Sequence, residues 1–445
     1  MTKHYEDDVW PSPIKGWYVT FVFLIAFVFS LIDRQILNLL VIPIQKDLSL
    51  SDTQISLLQG LAFVVTYVTM SVPFGRLIDK FNRVRIMISG VIIWSVTTFA
   101  CGLSRSFGEL MVARMGVGAG EAALSPAAWS ILADYFKPEN LSLPISIYLM
   151  GPYIGAGLAM ILGAQVLDLT AGRDTIDVFL LGSIAPWQLT FIVVALPGII
   201  ITALLLTVRE PERKNRKSQS DTVPSWSEVL SHMKSKKRIY LSLHVATPFL
   251  VVMLYGLQGW SPTILVRVFD FELSSAGRIY GIIALLFGSA GVLTGPVLAR
   301  LLKYFSVNAA GLKVCVFGVS CASLSLVALP FQDNPFFALF FIALASFCVP
   351  LPLALVTTMM QEVTPNSMRG VVNGMYVVST NVIGLALGPS LVALGTDYIF
   401  KDPKLVAYSL GLVAAIVGPI GSILFSLGIK PVSYTHLTLP TIYSV

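Results

Sequence analysis

Four charged side chains, Asp33, Arg34, Arg114 and Glu121, stand inside apolar stretches long enough to cross a membrane. An ionised group at bilayer depth costs roughly 2.5 to 3.5 kcal/mol on insertion scales, so such groups mark function by default. Positions 114 and 121 are close to two helical turns apart, which puts both residues on one helix stripe with about 10 Å of rise between them. The four charges sum to zero. A carboxylate that exchanges an internal arginine for a proton makes the cluster positive, which is what coupling a proton to an anionic or zwitterionic head group requires. Asp33 and Glu121 are the proton-coupling candidates, and Arg114 and Arg34 the ion-pair and head-group candidates. The bland alternative is an ion-pair network that only fixes helix packing. Arg34 is the weakest member, because adjacent helical residues point about 100° apart and its stem can snorkel to a surface.

The elements that must position these groups are helices. The chain has 445 residues, 55% hydrophobic and 12% charged, with a mean hydropathy of +0.79. That is too apolar for a soluble core and reads as an all-α polytopic membrane protein. Spans of about 20 residues are expected near 17–42, 54–77, 85–103, 107–133, 143–168 and 187–208, then near 240–268, 277–302, 311–330, 336–361, 370–396 and 405–429. The layout is two six-helix bundles. It divides into an N-terminal tail (1–15), a first bundle (16–208), a linker (209–238), a second bundle (239–430) and a tail (431–445) with no counterpart in the first half, read as non-native or disordered. Lys and Arg concentrate on the linker side, among them Lys214, Arg216, Lys217 and Lys237, which places both termini in the cytoplasm and the chain in the cell (inner) membrane. The acidic run Glu6, Asp7, Asp8 argues against a cleaved signal peptide. Counting rise along spans one and four puts Asp33 roughly 15 Å, Arg114 roughly 10 Å and Glu121 roughly 21 Å below the outer surface. Asp33 thus lies between the other two in depth.

The halves echo one another. Gly75-Arg-Leu-Ile-Asp79-Lys80 after span two returns as Gly295-Pro-Val-Leu-Ala299-Arg300 after span eight, and the loop at Pro138 is matched by that at Pro365. Gly75, Asp79 and Arg83 form a candidate cytoplasmic gate, with Asp79 placed to cap a helix or pair with Arg83 at i,i+4. Pro126 and Pro152 are candidate kinks, and Gly116, Gly118 and Gly120 permit close helix approach. The second half carries almost no charge within its spans. Tyr255 and Gln258, on one helical face, and Asn381 are its pocket candidates, while His244 is read as a satisfied interfacial residue. A cavity with one charged and one apolar wall suits an amphipathic, lipid-like substrate. Cys101, Cys315, Cys321 and Cys348 are read as buried thiols. No metal spacing, nucleophile–base constellation or phosphate loop appears, so no cofactor, metal or enzymatic activity is expected, and no basic face suggests nucleic acid.

Gly75-Arg-Leu-Ile-Asp79-Lys80-Phe-Asn82-Arg83, with the six-plus-six layout, resembles the major facilitator superfamily and its signature loop; Asn82 replaces a glycine there and Val84 a basic residue. Asp33-Arg34, together with the stretch from Arg114 to Ala122 that ends in Gly-Glu-Ala, resembles the Spinster family. The resemblance covers about residues 15 to 430. It implies a transporter of lysolipids or sphingolipids, coupled to protons in some members. By it Asp33 and Glu121 are the protonatable carboxylates, Arg114 their partner and head-group contact, and Asp79 and Arg83 part of an inner gate. The expected protein is a monomeric secondary transporter working by alternating access, with protons, membrane lipids and a small-molecule or lipid substrate as partners. A symporter of small organic anions is the first alternative. A receptor or scaffold that kept the fold without turnover is the second.

Overall fold

The computed structural model describes residues 10–137, 140–179, 181–213, 225–365 and 368–429. The acidic run Glu6 to Asp8, Pro138, the linker cations Lys214, Arg216 and Lys217, and the tail 431–445 lie outside the described residues. Among the described residues eleven helices are long and apolar enough to cross a membrane: Pro13–Leu39, Asp52–Lys80, Arg83–Cys101, Leu143–Leu169, Pro186–Leu206, Lys237–Phe269, Leu273–Tyr304, Ala310–Phe331, Pro335–Val363, Val371–Phe400 and Pro403–Leu427. These are spans one to three and five to twelve.

Span four is the exception, because it is two helices, Phe107–Glu121 and Leu124–Tyr135. The cause is Pro126. It has no N–H to offer the carbonyl of Ala122 and its ring crowds that carbonyl, so the helix is interrupted at Ala122 and Ala123. The break directly follows Glu121. Pro152 does the same in span five, where Ser142–Tyr148 gives way to Gly151–Leu169. In span ten Pro352 interrupts the chain between Cys348 and Leu351, so the break in span four recurs at the matching place in the second half.

One feature has no sequence antecedent. After span five, Ile176–Val178 pairs antiparallel with Gly182–Ile184 in a two-stranded hairpin.

The chain forms two compact units. The first gathers Met1–Ile36, Val65–Ala159 and Val166–Asp221, and the second Leu37–Val64, Met160–Gln165 and Thr222–Val445. The far ends of spans one and two, on the side opposite the linker, therefore group with the second unit. Span one passes from one unit to the other between Ile36 and Leu37, directly after Asp33 and Arg34.

Within the first unit, spans three and four approach at backbone distance. A Cβ on Gly120 would stand 2.5 Å from the Trp94 amide nitrogen and 2.7 Å from the Gly90 carbonyl oxygen. Only glycine permits that approach. A Cβ on Gly75 would meet nothing within 4 Å, so the signature glycine is not required by packing in this structure.

Candidate functional site

All four intramembrane charges lie in the first unit, and the structure brings them together. Span one presents Ser30, Asp33 and Arg34, and span four presents Arg114 and Glu121. Arg34 Nη2 donates to Glu121 Oε2 at 2.5 Å, and Ser30 Oγ donates to the same oxygen at 2.8 Å. Arg114 turns its guanidinium to the backbone of span one, donating to the carbonyl oxygens of Asp33 at 3.0 Å and Arg34 at 3.1 Å. Relative exposure is 0% for Arg114, 2% for Glu121 and 3% for Asp33. The cluster is a sealed polar core.

This corrects the expected ranking. Arg34 does not face outward: its guanidinium carbon also stands 5.6 Å from the Tyr67 ring centroid, a cation–π contact from span two. Arg34 and Glu121 face each other because the stripe carrying Glu121 runs along the face of span one on which Ser30 and Arg34, four residues apart, both lie. The two carboxylates differ in environment. Glu121 has two donors on one oxygen, whereas Asp33 Oδ1 is buried without a hydrogen-bond partner, as is Glu121 Oε1. Ser30 and Tyr67 were missed by the sequence reading. Neither a serine in a membrane helix nor a lone tyrosine stands out by type.

The expected pairing of Asp79 with Arg83 is not made. Span two ends at Lys80 and span three begins at Arg83, so the helix that would align the two at i,i+4 is interrupted. Arg83 instead donates to Asp134 Oδ2 at 2.5 Å, to Glu210 Oε1 at 2.6 Å and to Ser130 Oγ at 2.9 Å. Asp79 is exposed. The capping role expected of it falls to Asn82, whose Oδ1 accepts from the Arg85 amide at 2.8 Å. Asn82 has φ −65°, so it replaces the signature glycine as an N-cap and not as a left-handed residue. Arg213 closes the other side, donating to the carbonyls of Asp79, Ile78 and Phe81 at the end of span two. Those carbonyls have no intrahelical donor.

In the second unit the side opposite the linker carries a fastening that the sequence reading did not foresee. Arg267, at the end of span seven, grips Asp52 bidentately with both contacts at 2.7 Å and takes Gln45 Oε1 at 2.6 Å. Asp397, near the end of span eleven, accepts from Thr53 through its amide at 2.7 Å and its hydroxyl at 2.6 Å. Together these tie the segment Leu37–Val64 to spans seven and eleven. The available signal was an acidic residue and an arginine at span ends with few other charges to meet.

The pocket candidates are placed less tightly. Tyr255 and Gln258 are half-buried on span seven. A Cβ on Gly388 of span eleven would lie 3.0 Å from that of Tyr255, so Tyr255 sits at the packing seam of the two spans. Asn381 Nδ2 donates to the Val377 carbonyl at 2.8 Å, within its own helix, at the start of a π-helical turn over Thr380–Leu385. Gln59 is an unforeseen polar group: its Nε2 reaches the Gly259 carbonyl at 3.1 Å and its Oε1 is buried without a partner. His244 departs from the expectation of a satisfied residue. It packs between the rings of Tyr240 and Tyr376, and its Nε2 is buried without a hydrogen-bond partner.

The Major Facilitator Superfamily model matches residues 23–389. Protein spinster homolog 1 of Xenopus tropicalis is 28% identical over 91% of this chain and 79% of its own length. An MFS-type efflux pump of Mycolicibacterium smegmatis is 24% identical over 93% of this chain and 92% of its own length. Among solved structures, a bacterial homolog of the human lysosomal transporter Spinster, inward-facing and unoccupied, superposes with a TM-score of 0.75 at 23% identity, covering 96% of this chain and 98% of that one. A D-xylose-proton symporter shares the fold at a TM-score of 0.66 and 12% identity, over 91% and 97% of the two chains. The chain is an integral multi-pass membrane protein. With the superfamily match running over most of its length and a buried charge cluster between spans one and four, it belongs to the Major Facilitator Superfamily, and within that superfamily it is similar to the Spinster transporters.

Proposed function

We propose that this protein is a proton-coupled secondary transporter of an amphipathic, lipid-like substrate of lysolipid or sphingolipid type, working by alternating access. It acts as a monomer in the cell (inner) membrane with both termini in the cytoplasm. The observation that carries the reading is the unequal partnering of two buried carboxylates. Glu121 is held by Arg34 and Ser30, while Asp33 Oδ1 is sealed without a donor. Asp33 is then the site that takes the proton, and Glu121 is the counter-charge that releases Arg34 when a substrate head group competes for the guanidinium. Arg114, fixed on the span-one backbone, transmits the rearrangement of one span to the other. The fastening at Asp52 and Arg267 stabilises one end state and must open in the other.

Similarity to the mycobacterial efflux pump favours a second reading, in which the cargo is an amphipathic small molecule that is exported. Proteoliposome flux over a panel of lysolipids, amphipathic cations and small carboxylates decides between these. Proton-driven lysolipid flux supports the first reading. Flux of small carboxylates that lysolipids do not inhibit returns the assignment to an organic-anion symporter, and no flux of any class points to a receptor or scaffold.

A further inference from the structure

The ten-residue helix Trp226–Ser235, which precedes span seven, has a built start: the Ser225 side chain accepts from the Glu228 amide, and the Glu228 carboxylate accepts from the Ser225 amide at 2.8 Å. Its faces divide cleanly. Val229 is 1% exposed and the His232 ring packs edge-on against Tyr240 at 5.9 Å, so this side faces the protein. His232 and Lys236 both reach the Val363 carbonyl, at 3.4 and 3.1 Å, which fixes the helix on the end of span ten. Trp226 and Leu230, one turn apart, are 66% and 45% exposed, and half-buried Met233 continues their stripe. Lys234 borders that stripe, and Lys236, Lys237 and Arg238 follow it, all exposed.

The charges are unusual in position as well as number. Lys237 and Arg238 occupy the first turn of span seven, where no acidic residue stands. A helix N-terminus carries partial positive charge and a C-terminus partial negative charge, so Lys234 suits the end of Trp226–Ser235 while Arg238, inside the first turn of span seven, gains most from an added anion. Among the described residues no carboxylate makes an ion pair with Lys234, Lys237 or Arg238. An exposed apolar stripe beside a run of cations that no carboxylate among the described residues pairs, at the start of a membrane span, is the pattern of a helix lying in the lipid interface.

We propose that Trp226–Ser235 is an in-plane membrane helix and that Lys234, Lys237 and Arg238 form a binding site for anionic phospholipid head groups. Trp226 and Leu230 enter the acyl boundary, and the phosphates occupy the positive end of span seven. Because Lys236 also caps the end of span ten, lipid bound here stiffens the junction between the linker, span seven and span ten.

The test uses the full chain in nanodiscs of phosphatidylcholine, or of phosphatidylcholine mixed with phosphatidylglycerol, and measures amide hydrogen exchange over residues 226–238. Exchange should be slower in the anionic mixture. In K234Q/K237Q/R238Q the slowing should fall by about fivefold for each charge removed, and in the wild type it should fade as salt shortens the Debye length, which needs no variant. W226S/L230S should lose protection in both lipids yet still retain phosphatidylglycerol in native mass spectrometry. Equal exchange in neutral and anionic discs, protection that survives both salt and the charge substitutions, or protection that appears only when two copies share a disc would each overturn the proposal.

Discussion

Arg34 and Glu121 meet at 2.5 Å across spans one and four, an ionic link between two spans in the interior of the first unit. Breaking one side of a buried pair costs about 3 to 5 kcal/mol, because the remaining charge is left without compensation. Arg34→Met and Glu121→Gln should therefore each lower thermal stability in detergent strongly. The double substitution should be clearly milder than the sum of the singles, since no bare charge remains. Additive losses in the thermal melts would show that the two residues do not share an interaction.

Glycines of the two motifs should respond in opposite ways. Gly120→Ala forces a methyl group against backbone atoms of Trp94 and Gly90, so it should cost about 1 to 3 kcal/mol and displace Glu121. Gly75→Ala meets open space and should fall within about 0.5 kcal/mol of wild type, as surface substitutions do. Thermal melts of the two purified variants make the comparison, and equal losses would refute the packing argument.

The contrast reflects what the sequence could and could not convey. Span positions, the breaks at Pro126 and Pro152 and the buried charges were legible because apolar length, missing N–H groups and charge in lipid are local properties; the matching break at Pro352 was not foreseen. Partner choice was not legible. Arg34 faces Glu121, and Arg83 faces Asp134 and Glu210, through the rotation of whole helices, which hydropathy does not report. Asp79 lost its expected partner because a two-residue interruption at Phe81 and Asn82 separates two helices that the motif alone reads as one turn. Asp52 and Arg267 were passed over for a related reason. Each sits at a span end, where a charge is ordinary, and only the fold shows that 215 positions of chain are closed by their contact.

Arg267 should behave as a fastener. Arg267→Gln leaves Asp52, 3% exposed, without its bidentate partner, and Arg267→Lys cannot restore the planar fork. Both should raise labelling of Leu50→Cys by a water-soluble thiol reagent several-fold relative to the Leu50→Cys background, Gln more than Lys. Unchanged labelling in both would show that the contact does not hold the segment Leu37–Val64 in place.

Asn82 offers a check on the signature loop. Asn82→Ala removes the acceptor for the Arg85 amide and should cost about 0.5 to 2 kcal/mol, whereas Asn82→Asp keeps the cap and should cost less. A glycine, the residue of the superfamily motif, should cost only a few tenths of a kcal/mol relative to asparagine. Melting curves of the three variants rank them, and an alanine variant as stable as wild type would contradict the capping role.

The most direct test of the proposed mechanism is lysolipid flux into proteoliposomes with and without an imposed pH gradient, comparing wild type, Asp33→Asn and Glu121→Gln. If Asp33 carries the proton, Asp33→Asn abolishes the acceleration by the gradient while counterflow exchange of lysolipid persists, and Glu121→Gln reduces flux under both conditions by weakening the hold on Arg34. An Asp33→Asn protein whose flux still rises with the gradient as the wild type's does would contradict the account.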